Sequence, residues 1–544
     1  MEVILAALPL IIIFFLILVL KWSILKTMTI ALLILLAIVI FFWKMPYDWI
    51  LAASFKGFLL SLEISLIVLG AIFFLNVIKT KGLEEKIKET VEVITFDRRI
   101  QIVIIGFAFT ALIEGSAGFG VTVILAATLL VSLGFSIISA VTLSLIGGAI
   151  HVVFGAVGTP IVFGFGAGLT SPEILNYLQV QGITLESFLH QTGALASTLN
   201  LIIGFFASLI MTIMLVLFFG EKQEVKKLKY ILEIIPFLIL SSFLITGPAW
   251  FLANYFGPEL PSLIGGLFGL FILLIIVQKS WFLPKTQWDF NKITEKNKKI
   301  QSISFFKIFK ILIPYFVLIL ILFISRANFL PIENWLMNFL KFSLPQILGS
   351  NISYFFSPFY SLGILLLLSG GLFVLIFKLS LNQAKVIFQD ALTKIKTPLL
   401  VLIICLIFVQ IFIYSGENLS NLQSLSMILV EAMVKAGGIF WPIFAPFVGA
   451  IGAFIAGSVT VSNLWFGNFQ ANTALLLNID PRLFLSLQAI GASLGNMLSI
   501  HNVVIALAAL GAINKVNMVI KYNILPVIIL CFLLGIIGFF LNLF

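Results

Sequence analysis

The sequence predicts an all-α polytopic membrane protein of roughly 12 to 14 membrane segments, with two inverted-topology repeats that contain broken helices or re-entrant hairpins. Three observations predict it. Long apolar runs fill nearly the whole chain, basic residues collect in short segments that alternate with basic-poor ones, and a pair of small-residue motifs occurs twice in the same order. Of the 544 residues 61% are hydrophobic and only 10% charged, with a mean hydropathy of +1.21. Such a chain has too few polar groups to cover a water-facing surface. A helix crosses the hydrocarbon core in about 20 apolar residues, which sets the segment count and leaves almost no room for a water-exposed domain.

The first apolar run, Val3 to Leu20, has no basic stretch before it and is followed by Lys21, Lys26 and another apolar run. It reads as the first membrane helix and not as a cleaved leader. Cys405 and Cys531 lie inside apolar runs and read as small core filler; no cofactor and no metal ligand set is expected. The formal charge of +10 does not point to nucleic acid, because the placement of the basic residues explains it.

Most of the 32 Lys and Arg residues fall at Lys21 and Lys26, Lys79 to Arg99, Lys222 to Lys229, Lys279 to Lys310 and Lys378 to Lys396. The positive-inside rule puts these segments in the cytoplasm. Pro46 to Phe55, Thr170 to Gln191 and Gly247 to Pro261 contain no Lys or Arg and are placed outside, with His190 a surface residue there. Single crossings then alternate at 3–20, 27–43, 57–78, 192–219, 231–252, 261–278, 308–325, 354–377 and 397–415. Both termini fall outside a plasma membrane. Residues 100–169 run from inside to outside and 436–514 from outside to inside. The expected division is therefore 1–99, a first motif half 100–169, connecting helices 170–435, an inverted motif half 436–514, and a last helix in 515–544. The mixed-charge run from Lys79 to Arg99 reads as a solvated amphipathic helix on the cytoplasmic surface.

The two halves carry matching motifs. Ile113-Glu114-Gly115-Ser116-Ala117-Gly118-Phe119-Gly120 is echoed by Ile455-Ala456-Gly457-Ser458-Val459-Thr460-Val461-Ser462-Asn463, and the stretch from Ile150-His151 by that from Ile500-His501-Asn502. A repeated pair of motifs on opposite orientations marks an inverted-repeat carrier. Glycines so close together suit helix breaks, which at membrane depth are tolerated only against protein or a water-filled cavity; close helix packing is the alternative reading. The hydroxyl and amide groups beside the glycines favour a binding site. Gly115, Ser116, Gly118, Gly120, Ser458, Thr460, Ser462, Asn463, Asn496 and Asn502 are the expected substrate-binding residues. A small anion there must regain its lost hydration from donors and helix N-termini, because 100–169 has no Lys or Arg and 436–514 has only Arg482. Glu114, the sole carboxyl in the first motif, is the expected proton carrier, with a structural helix cap as the alternative. His151 and His501, paired between the halves, are further proton-coupling candidates or else satisfied core residues. Glu63 is a weaker one.

Phe109 to Gly120 followed by Leu133-Gly134-Phe135 resembles the lactate permease family, whose members carry a similar Leu-Glu-Gly-Ala-Ala-Gly-Phe-Gly segment before Leu-Gly-Phe. Further likeness lies at Lys44-Met45-Pro46, Phe154 to Ile161, Gly257 to Pro261 and Pro446 to Gly511, so the matches span most of the chain. The resemblance implies a multi-pass plasma-membrane symporter that takes L-lactate, with D-lactate and glycolate beside it, together with a proton, in contact with membrane lipid and without nucleic acid. Three places depart from the family pattern. Val459 stands where an acidic residue is expected, Asn496 where a lysine is expected, and Gly148-Ala149-Ile150-His151 where Asn-Thr-Ala-Pro is expected. A carrier of another organic anion, or an ion-coupled exchanger of the same broad superfamily, is the runner-up. A membrane enzyme would need carboxylates, metal ligands or a phosphate clamp at the boundary, and a channel would need rings of polar residues along a pore; neither pattern is present.

Overall fold

The computed structural model describes all residues except 21, 119, 221–226, 291–303, 326–330 and 544. Lys21, Phe119 and the lysines at 222, 226, 292, 296, 298 and 299, all used in the topology or motif reading, lie outside the described residues. In chain order the helices are α1 (Glu2–Leu18), α2 (Ile24–Phe41), α3 (Tyr47–Lys79), α4 (Leu83–Ile94), α5 (Arg98–Ser116), α6 (Val121–Ser132), α7 (Ile137–Ala149) and α8 (Val152–Gly168). Then follow α9 (Pro172–Gln181), α10 (Leu185–Phe218), α11 (Lys227–Tyr255), α12 (Pro261–Gln278), α13 (Phe305–Ser325) and α14 (Ile332–Asn338). A small antiparallel pair, β1 (Phe342–Leu344) and β2 (Tyr354–Phe356), precedes α15 (Leu362–Ile376) and α16 (Leu381–Tyr414). The chain ends with α17 (Leu425–Gly437), α18 (Trp441–Ala456), α19 (Val459–Leu476), α20 (Pro481–Leu498), α21 (Ile500–Ala509) and α22 (Val516–Leu543).

Ten helical stretches among the described residues are long and apolar enough to cross a membrane, or up to twelve when each of two bent pairs counts as one span. The upper count meets the lower end of the expected range, because several apolar segments are too short to cross: α6 has 12 residues and α15 has 15. Residues 354–360, expected at the start of a crossing, instead form β2 and a short helical turn, and α15 begins only after Ser361. Pro358 removes a backbone donor there and favours the turn.

Each half repeats one plan. In the first, α5 runs to Ser116, the chain reverses before Val121, and α6 returns beside it; α7 and α8 then form a helix pair bent by 61°. In the second, α18 and α19 turn at Gly457–Ser458, and α20 and α21 form a span bent by 42°. The two hairpins open at different ends of the molecule. Arg98, at the open end of the first, donates to Leu133 O at the far end of α6 and, at 2.8 Å, to Asp289 in the basic 279–310 segment. The open end of the second is held by Arg482, which pairs with Asp480 and donates to Gln191 in the basic-poor 170–191 segment.

The amphipathic α4 forms as expected and buries Ile87, Val91 and Ile94. Its continuation is not solvated. Arg99 is fully buried, ion-paired to Asp97 at 2.6 Å, and donates to Tyr230 O (2.7 Å), while Asp97 also accepts from the Trp288 backbone N–H (3.2 Å). Removing one partner of a buried pair strands the other charge, at a cost of about 3–5 kcal/mol. Asp97→Ala is therefore expected to lower the thermal midpoint of the purified protein sharply, and Asp97→Ala with Arg99→Leu to recover much of it; a melt showing the single variant unchanged would overturn this account. His190, expected on the surface, is half-buried over Gly257. Cys405 and Cys531 are buried and free, as read.

Candidate functional site

The hairpin turns and the helix bends converge. A cavity of about 30 Å³ is lined by Glu114, Gly118 and Gly120 from the first turn, Val152, Gly155, Ala156 and Pro160 from the first bend, Gly457, Ser458, Val459 and Thr460 from the second turn, and Asn496 and Asn502 from the second bend. Of the residues expected to bind substrate, it gathers Gly118, Gly120, Ser458, Thr460, Asn496 and Asn502, and with them the expected proton carrier Glu114.

The local sequence explains the turns. Gly118 and Gly120 take φ of +58° and +78°, and Gly457 takes +69°, a region open to glycine at little cost. At the first bend Ala156, Val157 and Gly158 make a left-handed turn, with φ of 42°, 56° and 74°. A β-branched residue in that region is a strained outlier, and such strain collects at functional sites. α5 and α8 also widen into π-helical turns at Val103–Phe109 and Pro160–Phe165, the second of which begins at the cavity-lining Pro160.

Breaking a helix inside a membrane frees carbonyls that lipid cannot satisfy. Here side chains from other helices take them up. Ala149 O accepts from Ser493, Ile150 O from Asn200 (2.9 Å), and His151 O from Ser262 (2.7 Å). In the second half Met497 O accepts from Asn523 (2.9 Å), and Ser499 caps α21 through the Asn502 N–H (3.3 Å). Pro160 O accepts from Asn463 (2.9 Å) and Ala167 O from Gln410 (3.0 Å), which tie α8 to α19 and α16. Asn200, Ser262, Ser493, Asn523 and Gln410 were missed in the sequence; their one signal is a polar side chain inside an apolar crossing.

The other expected residues stand behind the wall. Gly115 packs on the backbone of α12 at Leu263, and the Ser116 hydroxyl donates to Ile113 O (2.9 Å). Ser116 therefore does not meet Ser458 across the cavity; Gly118 and Gly120 do so in its place. Ser462 donates to Gly449 O (2.9 Å) and accepts from Gln488 (3.2 Å). The His151 ring lies 5.0 Å from that of Phe107, buried, with Nε2 unpartnered among the described residues. His501 is exposed beside Gly457. Glu63 is not among the cavity-lining residues and accepts from Tyr354 on β2 at 3.4 Å.

The cavity is suited to an anion without holding a cation. α6 and α19, of 12 and 18 residues, begin at its wall with Val121 and Val459, and the first N–H groups of a helix have no intrahelical partner and carry partial positive charge. Asn502 donates to Asn496 Oδ1 at 2.7 Å, which leaves the Asn496 amide N–H groups to act as donors. Glu114 is 4% exposed, and its Oε1 would lie only 2.8 Å from a Cβ on Gly155, so glycine there makes room for the carboxyl.

A family model described as L-lactate permease matches residues 2–544. The chain belongs to the L-lactate permease family. Its relatives include a putative L-lactate permease of Haemophilus influenzae, 32% identical over 488 residues, covering 85% of this chain and 84% of that one. A glycolate permease of Escherichia coli K12 is 28% identical, covering 93% and 90%, and an L-lactate permease of Bacillus subtilis is 27% identical, covering 93% and 89%. The chain also shows a likeness to the solved YdaH transporter of Alcanivorax borkumensis, at 13% identity and a TM-score of 0.42, covering 87% of this chain and 84% of that one. Membership in a permease family and the many crossing helices make this a multi-pass membrane protein of the transport class.

Proposed function

We propose that this protein carries small monocarboxylates, L-lactate or glycolate among them, across the plasma membrane together with a proton. One observation carries the reading: both hairpin turns and both helix bends meet at a single small cavity that offers helix N-termini, amides and hydroxyls, a single carboxyl, and no Lys or Arg. A carboxylate group placed against the N-termini of α6 and α19 regains in N–H donors what it loses in water, and a hydroxyl on the neighbouring carbon suits the amides of Asn496 and Asn502. The names of the relatives as lactate and glycolate permeases support the substrate class. Glu114 is the proton carrier in this reading, and the basic segments face the cytoplasm with both termini outside. A different small organic anion is the second reading, favoured by Val459 and Asn496, two of the three places that depart from the family pattern, which lie on this one wall.

Counterflow of labelled lactate, glycolate and dicarboxylates in proteoliposomes tests the proposal. Saturable exchange of the monocarboxylates supports it, and exchange confined to dicarboxylates overturns it. Within that assay Asn502→Leu is expected to raise the KM for lactate about ten-fold, because a buried hydrogen-bond partner is lost, worth roughly 1–3 kcal/mol. An unchanged KM would remove Asn502 from the binding site.

A further inference from the structure

A second and larger cavity lies away from the substrate site. It has a volume of about 270 Å³ and sits between the second hairpin and helices α1, α16 and α17. Its walls are almost wholly apolar, with Phe408 and Phe412 of α16, Leu429 of α17 and Val448 of α18 among them. Its rim carries side chains that face outward: Ile11 is 56% exposed, Met433 38% and Ile451 42%. In a chain that spans a bilayer, such exposed apolar side chains face lipid, so the cavity opens sideways to hydrocarbon and not to water.

One wall residue does not fit an apolar void. Asn468 is 2% exposed, and neither its amide nitrogen nor its amide oxygen has a hydrogen-bond partner among the described residues; Trp465 Nε1 nearby also lacks one. Burying an amide without partners costs several kcal/mol in an apolar setting, so a ligand that brings a polar group to this point is favoured over hydrocarbon alone. Depth then narrows the ligand. Asn468 is nine residues beyond Val459 in α19, about 14 Å along the helix at 1.5 Å per residue. If the meeting point of the two hairpin turns marks the bilayer middle, Asn468 stands at the edge of a hydrocarbon core about 30 Å thick. That is the level of the glycerol esters of a phospholipid.

We propose that this cavity holds one acyl chain of a bilayer phospholipid, inserted between Ile11, Met433 and Ile451, with its ester carbonyl accepting from the Asn468 amide. The chain fills the gap between the second hairpin and the helices around it, so the hairpin that carries Ser458 and Thr460 packs against lipid as well as protein. This inference does not depend on which anion the protein carries.

The test uses the full chain in vesicles of phosphatidylethanolamine and phosphatidylglycerol doped with a phosphatidylethanolamine bearing a diazirine near the ester end of one chain. After irradiation and digestion, adducts are expected to concentrate on peptides containing 465–469 and 408–413, well above those at Phe243, a residue of α11 that is 65% exposed and reports surrounding lipid. Asn468→Leu should cut that labelling about five-fold, the loss expected of one hydrogen bond, and Ala7→Trp, which fills the cavity from α1, should remove it. Labelling no denser at 465–469 than at Phe243 would mean annular lipid only and overturn the proposal. So would full labelling in a folded Ala7→Trp, or labelling by a diazirine fatty acid with none by the phospholipid. Should Ala7→Trp fail to fold, the contrast between sites in the unaltered protein and the Asn468→Leu result still decide the matter.

Discussion

Gly115→Val is expected to reduce counterflow by roughly 100-fold or more, since a misplacement of about 1 Å in a positioned site costs that much. A Cβ at residue 115 would lie 2.2 Å from the Leu263 backbone nitrogen and 2.5 Å from its Cα. These are main-chain atoms at the start of α12, so no rotamer change relieves the contact. The end of α5 must shift, and the residue before it is Glu114. Overpacking of this kind costs about 1–3 kcal/mol, small enough for the variant to fold and be reconstituted while its site is displaced. Gly148→Ala is the control, because the nearest atom to a Cβ there is a Thr110 side-chain carbon at 3.6 Å, an ordinary contact; it should transport normally. Initial rates in proteoliposomes check both. A Gly115→Val protein with unimpaired exchange would show that the α5 and α12 packing does not position the site.

The same residue shows what could be read from sequence and what could not. That Gly115 lies at a break in a membrane-embedded motif follows from glycine spacing and from the repeat, and so does the existence of two hairpins opening in opposite directions. Its contact with Leu263 does not follow, because that contact joins segments far apart in the chain and depends on how α12 lies across the hairpin. The cavity lining was legible where it came from the motifs themselves, as with Glu114, Gly118, Gly120, Ser458 and Thr460. Asn502 was legible through the motif that begins at Ile500, and Asn496 through the family resemblance, as the residue that stands where a lysine is expected. Motif membership, however, cannot say which way a side chain turns on a helix. Ser116 and Ser462, beside lining residues, spend their hydroxyls on carbonyls of their own half, Ile113 O and Gly449 O. Least legible were Asn200, Ser262 and Asn523, which satisfy the freed carbonyls at the bends from distant helices. Each looks in the sequence like a stray polar residue in an apolar run, and its partner is set only by the tertiary packing.

The charge pattern of the site gives the largest expected functional change to a single carboxyl. A carrier that moves an anion with a proton needs a group whose charge differs between the loaded and empty forms, and among the described residues Glu114 is the only carboxyl on the cavity wall. Glutamine has nearly the same shape, so the space left by Gly118 and Gly155 accommodates it, while the amide cannot titrate. Glu114→Gln is therefore expected to abolish lactate accumulation driven by an imposed pH gradient and to leave counterflow of labelled lactate within about ten-fold of the unaltered rate, the range of one altered hydrogen bond. Exchange survives because it needs no net proton movement. Uptake and counterflow measured side by side in the same proteoliposomes separate the outcomes. Full gradient-driven accumulation in the variant would rule out Glu114 as the proton carrier. Loss of both activities in a folded variant would make Glu114 a binding or capping group, and His151, buried and with Nε2 unpartnered among the described residues, would become the next proton site to test.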